Sequence, residues 1–255
     1  MFPNISLANG SFSYSQSLLQ VPGIGLPFEF AIAYNSEWDE KDTLGQRWTH
    51  NYNWYFGYRP WDLVDDDTSD IRLRTGSGTA LYFTRRNPST DPPGLFFPKY
   101  GTQEETLQYR SDRRWEYRNK QQIRYLFDVI EMGNRLLSIT DANGNQLTFE
   151  YDSQDLRLQR RVIDTRGQTA DYFYNARGDL ERLEYRGVGG ELLNTVSLNY
   201  GLATPADTVP VLISVVDASN VTTAFSYDDL GPSGRSRNLI EKIEVSYNSG
   251  LGSMH

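Results

Sequence analysis

The chain has 255 residues, 38% of them hydrophobic and 13% aromatic, with 17 tyrosines and a formal charge of −8. Such aromatic content supplies a core built from rings more than from aliphatic branches and argues against disorder, while the negative charge lacks the clustered Lys and Arg that phosphate binding needs. With no cysteine there is neither a disulfide nor a thiolate metal site, and no run approaches the roughly 18 apolar residues of a membrane-spanning helix.

The opening MFPNISLANGSFSYS has no basic segment leading into an apolar one, so no signal peptide is expected there. Farther on, VPGIGLPFEFAIAYNS (21–36) reads as a glycine turn feeding a strand; the GIG is followed by Leu-Pro, which suits a turn and no phosphate loop. RWTHNYNWYFGYR (47–59) places a large side chain at every second position: Trp48, His50, Tyr52, Trp54, Phe56 and Tyr58. That period of two predicts one long strand with an aromatic face, packed as core or open as a stacking platform for sugar rings. VDDDTSDIRL carries Asp65, Asp66, Asp67 and Asp70, but without the spaced acidic pattern and terminal Glu of a calcium loop; a solvated hairpin tip is expected. A soft boundary runs from 87 to 122, where NPSTDPPG and a polar stretch interrupt the pattern. We divide the chain into an aromatic-rich β module, 1–118, and a repeat region, 119–255.

From there the chain repeats itself. Short strands close on an aromatic residue at Phe127-Asp128, Tyr151-Asp152, Tyr174-Asn175, Tyr200-Gly201, Tyr227-Asp228 and Tyr247-Asn248. Each closing ring has partners two and four positions upstream, as in Leu147/Phe149/Tyr151, Ala170/Tyr172/Tyr174, Thr223/Phe225/Tyr227 and Ile243/Val245/Tyr247, with mostly polar residues between. Ten residues before three of these rings stand Asp141, Asp164 and Asp217, opening the turns DANG, DTRG and DASN, whose residues tolerate positive φ. The closing tyrosines 151, 174 and 227 are expected to pack between successive hairpins, and the three aspartates to hold their turns. The unit is strand, tight turn, strand and second turn, and no segment shows helical spacing. The fold class expected is all-β: a curved ribbon of stacked antiparallel hairpins.

Both halves resemble the RHS family of YD-repeat proteins. YNARGDLERLEY (from Tyr174) and NRLLSITDANGNQLTFEYD (134–152) match its repeat, while the PG-x-G-LP, YNS and G-x-x-W-T-H-N-Y features at 21–54 match the module that opens many members. The resemblance implies a scaffold, a hairpin ribbon forming a shell around a C-terminal toxin or effector absent from this chain. It implies a bacterial protein, secreted or at the cell surface, exported by a route the chain does not encode. On such a shell the tyrosine hydroxyls are expected to stay wet while the rings pack. Departures exist: the units ending at Tyr200 and Tyr247 lack the Asp, and GLATPADTVP (201–210) is inserted. DDLGPSG (228–234) only loosely echoes the family's self-cleavage motif, so Asp228 and Asp229 receive no protease role.

Catalysis finds little support. The histidines are His50, inside the aromatic strand, and His255, and no Gly-x-Ser-x-Gly elbow accompanies them. Glu104 or Glu105 with Glu131 could be drawn as a glycosidase pair, but 33 acidic residues make such pairings meaningless. Asn4, Asn9 and Asn220 begin glycosylation triplets that are ordinary in so Ser/Thr/Asn-rich a chain. We expect no enzyme, no cofactor and no metal site. The partners expected are a toxin or effector domain or further shell segments of the same polypeptide, with carbohydrate the alternative ligand of an adhesion module. No nucleic acid or membrane span is expected. At 255 residues the chain is too short to enclose a shell, so it is a fragment, an open ribbon or a subunit pairing edge to edge.

Overall fold

A computed structural model describes residues 11–38, 41–56, 70–85, 92–100, 104–128, 135–155, 158–204, 207–228 and 239–247, together with the backbone of 4–5. Among these residues every regular element is a strand. The chain opens with β1 (Asn4–Ile5), β2 (Phe12–Val21) and β3 (Phe28–Asn35); β4 (Lys41–Asp42) and β5 (Gly45–Gln46) form a small side ribbon, and β6 (Trp48–His50) returns to pair with β3. The resulting sheet has the order β1-β2-β3-β6.

A second sheet begins at β7 (Tyr55–Phe56) and adds each strand to the edge of the one before. It continues through β8 (Ile71–Arg74), β9 (Ala80–Thr84), β10 (Leu95–Pro98), β11 (Thr106–Tyr109), β12 (Trp115–Arg118), β13 (Arg124–Phe127), β14 (Leu136–Thr140) and β15 (Gln146–Tyr151). It then passes through β16 (Gln159–Ile163), β17 (Thr169–Tyr174), β18 (Leu180–Arg186), β19 (Leu192–Gly201), β20 (Val211–Val216) and β21 (Val221–Tyr227) to β22 (Ile240–Tyr247). Among the described residues this is a strictly sequential antiparallel meander of 16 strands, not closed into a barrel. The meander runs without interruption through residue 118, since β12 pairs with β13.

One turn geometry recurs. In the Asp141, Asp164, Asn175 and Asp217 turns the first residue's Oδ1 accepts the N–H groups two and four positions on, at 2.8–3.1 Å. Its own carbonyl accepts the N–H of the third residue on, which sits in the left-handed region: Gly144, Gly167, Gly178 or Asn220. This is the three-residue hairpin ending in a left-handed bulge, and the side chains satisfy turn amides that would otherwise face water.

The two sheets lie face to face. Phe28 stacks on Tyr185, Phe30 meets Tyr172 edge-on, Tyr14 and Trp48 meet Phe225, and Tyr52, just beyond β6, meets Phe149. One face of the hairpin ribbon is therefore covered by the chain's own first strands.

The expected single strand over 47–59 does not form. After β6 the chain turns at Asn51, which takes over a rung of the β3 ladder: its Oδ1 accepts Ala31 N–H at 3.0 Å and its Nδ2 donates to Glu29 O at 2.7 Å. β6 thus ends in one sheet and β7 begins the other, while Trp48, His50, Tyr52 and Phe56 still point into the core, where each is at least nine-tenths buried. Their faces are core, not a sugar platform; Tyr58 lies outside the described residues.

The PG-x-G loop has a specific task. Ile24 N–H donates to Thr165 Oγ1 at 2.7 Å, and a Cβ on Gly25 (φ +75°) would run into Asp141 and Asn145 of the neighbouring hairpin turn. The loop is a latch laid over the hairpin tips. Gly25→Ala should cost about 1–2 kcal/mol, from the left-handed backbone alone, and more if the turn must shift; an unchanged urea midpoint would refute the latch.

Candidate functional site at the seam between the sheets

The closing rings explain the repeat. At each of Phe127, Tyr151, Tyr174, Tyr200 and Tyr227 the register slips by a β-bulge, leaving these rings opposite Leu136, Gln159, Leu180, Leu212 and Ile240. A bulge interrupts the ladder and strands backbone groups beside it. The hydroxyl of the next closing tyrosine reaches into that gap. Tyr151 donates to Leu136 O at 2.9 Å, Tyr174 to Gln159 O at 2.9 Å, Tyr200 to Leu180 O at 2.7 Å, and Tyr227 to Leu212 O. Every unit thus caps the bulge of the unit before it. The hydroxyls expected to stay wet are instead enclosed and bonded, and burial pushes the pKa of all four tyrosines well above the ordinary phenol range.

Asp152, which follows the closing ring, starts the next turn, its Oδ1 accepting the N–H groups of Gln154 and Asp155 at 2.7 and 2.9 Å. The sixth closure departs from the pattern. Tyr247 ends β22, which is the opening strand of a unit, and it is 79% exposed, with Val245 at 45%. Both side chains lie on one face of β22, the edge strand of the sheet among the described residues.

Polar side chains tie the first sheet to the meander. Gln16 Nε2 donates to Thr223 Oγ1 at 3.1 Å, Trp48 Nε1 to Tyr227 Oη at 2.9 Å, and Gln159 Nε2 to Tyr52 O at 3.0 Å. Thr43 O accepts Leu180 N–H at 2.7 Å, and Leu18 O, at the β2 bulge, accepts Ala218 N–H at 2.9 Å. None of these cross-sheet partners was legible in the sequence, because each joins residues more than a hundred positions apart.

Along the seam lies a cavity of about 810 Å³. Its walls include Asp42, Asn53, Trp54, Arg135, Arg177 and Asp179, with His50 and Gln159 among the enclosed residues. Three buried polar atoms on this wall, Thr43 Oγ1, His50 Nδ1 and Gln159 Oε1, have no hydrogen-bond partner. His50 is 3% exposed, and burial pulls its pKa down to about 3, so the ring is neutral. Between the ordinary 6.5 and 3 the unfolded chain binds a proton that the folded chain refuses. Stability must therefore fall as pH is lowered through that window, by up to about 1.4 kcal/mol per pH unit. Asp141 and Asp152, held below their ordinary values by hydrogen bonds to their carboxylates from within their own turns, tilt stability the same way. The His50 share is the difference in slope between the parent and His50→Gln in denaturant titrations; parallel slopes would refute it.

The remaining candidates do not assemble. Asp70 pairs with Lys99 at 2.5 Å, whereas Asp65, Asp66, Asp67, Glu131, Asp229 and His255 lie outside the described residues. Among the described residues no group of three or more His, Asp or Glu could hold a metal ion.

Comparison with known proteins matches the two regions separately. Residues 3–83, which span β1 to β9, match a domain of unknown function, DUF6531, found in RHS proteins, and residues 133–161, which span β14 and β15 and reach into β16, match the RHS repeat. No curated protein sequence matches the chain. Among solved structures, the N-terminal domain of effector protein SpvB from Salmonella typhimurium strain LT2 is 12% identical, with a TM-score of 0.41 over 91% of this chain and 99% of that one. The repeat match falls on the hairpin whose Tyr151 caps the Leu136 bulge, and the meander is an RHS-type scaffold. In both regions the chain is similar to the RHS family of YD-repeat proteins.

Proposed function

We propose that this chain is a structural segment of an RHS-type β-shell that encloses or presents a C-terminal toxin or effector, in a bacterial protein secreted or displayed at the cell surface. The observation that carries the reading is the tyrosine-to-bulge ladder. It lets each hairpin dock on the previous one by a local rule, so the sheet lengthens with the chain and needs no closure. The first sheet packs against one face of the ribbon and shares its core. No catalytic step is assigned to it, in keeping with a neutral, enclosed His50. The test is the gene's continuation beyond codon 255. Expressed in one polypeptide with these residues, the downstream domain should resist trypsin longer than it does alone; equal digestion, or a gene that stops there, sinks the cargo reading.

A second reading, saccharide binding, is favoured by the seam cavity, where the half-buried Trp54 borders unpartnered polar atoms and balanced charges. A glycan array on the parent and on Trp54→Ala separates the two. Specific binding lost on substitution supports adhesion, and a silent array leaves the scaffold reading alone.

A further inference from the structure

Residues 110–124, RSDRRWEYRNKQQIR, carry six Lys and Arg against two acids, a local reversal of the chain's formal charge of −8. The meander brings part of this stretch into one row. Thr106 of β11, Arg118 of β12, Arg124 of β13 and Thr140 of β14 stand opposite one another from strand to strand. Their chain neighbours Leu107, Tyr117 and Ile139 are buried against the core, so the row lies on the outer face, turned away from the first sheet.

Arginine opposite arginine is an unfavourable cross-strand pair. Elsewhere on the outer face the chain corrects such a pair itself: Asp171 stands opposite Glu184, and Arg161, Arg182 and Arg186 pair with the two carboxylates. At Arg118 the correction is incomplete. Glu116 is divided, its Oε1 accepting Arg118 Nη2 at 3.0 Å and its Oε2 accepting Arg110 Nη1 at 2.8 Å. The Arg124 side chain has neither an ion pair nor a hydrogen bond among the described residues. Thr140 Oγ1 accepts Gln146 Nε2 at 3.2 Å, which leaves its O–H to donate outward.

We infer that this row binds a phosphate monoester, gripped by Arg118 and Arg124 with a threonine hydroxyl on either side. Residues opposite each other in such a ladder are about 5 Å apart, a gap that one tetrahedral oxyanion spans, and guanidinium forks suit its oxygens. A monoester carries a charge of about −2 near neutral pH and so matches two arginines, whereas a sulfate ester or a phosphodiester brings one charge. Past Thr140 the outer face returns to ion pairs, Arg160 with Glu150 and Arg161 with Asp171, so it offers one phosphate site and no track for a nucleic acid. The site stands apart from the seam cavity and is independent of both the shell and the saccharide readings.

Calorimetric titration of the 255-residue chain at an ionic strength of about 20 mM, where surface charge is little screened, tests this. The probes are glycerol 3-phosphate, methyl sulfate, and phosphatidylcholine vesicles with or without phosphatidic acid, whose headgroup is the same monoester. Glycerol 3-phosphate should saturate one site, and methyl sulfate should bind about tenfold or more weakly. Binding to vesicles that requires phosphatidic acid would make the source a lipid, and binding of the soluble ester alone a soluble phosphate; either supports the site. Arg124→Gln should weaken binding about tenfold or more, whereas Lys242→Gln, at an exposed cation elsewhere on the sheet, should leave it unchanged. Without ligand, Arg124→Gln should melt no lower than the parent, since it removes opposed charge; a lower melting temperature would assign Arg124 to the fold instead and overturn the proposal. So would no saturable binding of either monoester up to about 10 mM, methyl sulfate bound as tightly, or equal losses in the two variants.

Discussion

Trp48→Ala should destabilise the fold by about 4 kcal/mol, at the upper end for a truncated core aromatic. Trp48 has no exposed surface, and its ring packs against Tyr14, Tyr34 and Phe225. Its Nε1 also donates to Tyr227 Oη, which in turn donates to Leu212 O, so one side chain links the first sheet to the last cap of the ladder. Removing it opens a cavity between the sheets and costs a buried hydroxyl one of its partners. Denaturant unfolding followed by tyrosine fluorescence and circular dichroism is the check. A loss below about 1 kcal/mol would mean the two sheets are not held by this contact.

Tyr174 separates packing from capping. Tyr174→Ala should cost about 3 kcal/mol, as other large core aromatics do, and Tyr174→Phe about 1–2 kcal/mol, the cost of leaving Gln159 O without its donor. The ring contributes through burial against the neighbouring hairpin, and the hydroxyl through a carbonyl that the Tyr151 bulge has taken out of the ladder. If Tyr174→Phe matched the parent in urea titration, the ladder would be incidental and the repeat would be held by ring packing alone. The same pair of substitutions at Tyr151 should give the same ratio, because the geometry repeats with the sequence.

Much of this architecture is legible in the sequence alone. Alternation marked the strands from Ile123 to Tyr227, and Asp141, Asp164 and Asp217 marked turns that form as expected, because hairpins are local and a side-chain carboxylate reaches the amides two and four residues on. The break at Asn51 was not legible. Alternation reports which side chains face the core and is silent on which sheet a strand joins, so the rings from Trp48 to Phe56 keep their period across a turn. The cavity was hidden for a related reason: Thr43, His50 and Gln159 converge only when two sheets are stacked.

The sequence by itself determined the repeat, its turns and the family resemblance, because those are properties of segments about 25 residues long whose amphipathic pattern and turn chemistry are self-contained. The tertiary structure alone decided what the tyrosine hydroxyls do. Whether a phenol on a packed ring meets water or a carbonyl depends on a bulge one hairpin away and on a sheet laid over both. Neither bulge position nor sheet stacking is written in the period of two; they follow from how the hairpins settle against one another once the first strands cover one of their faces.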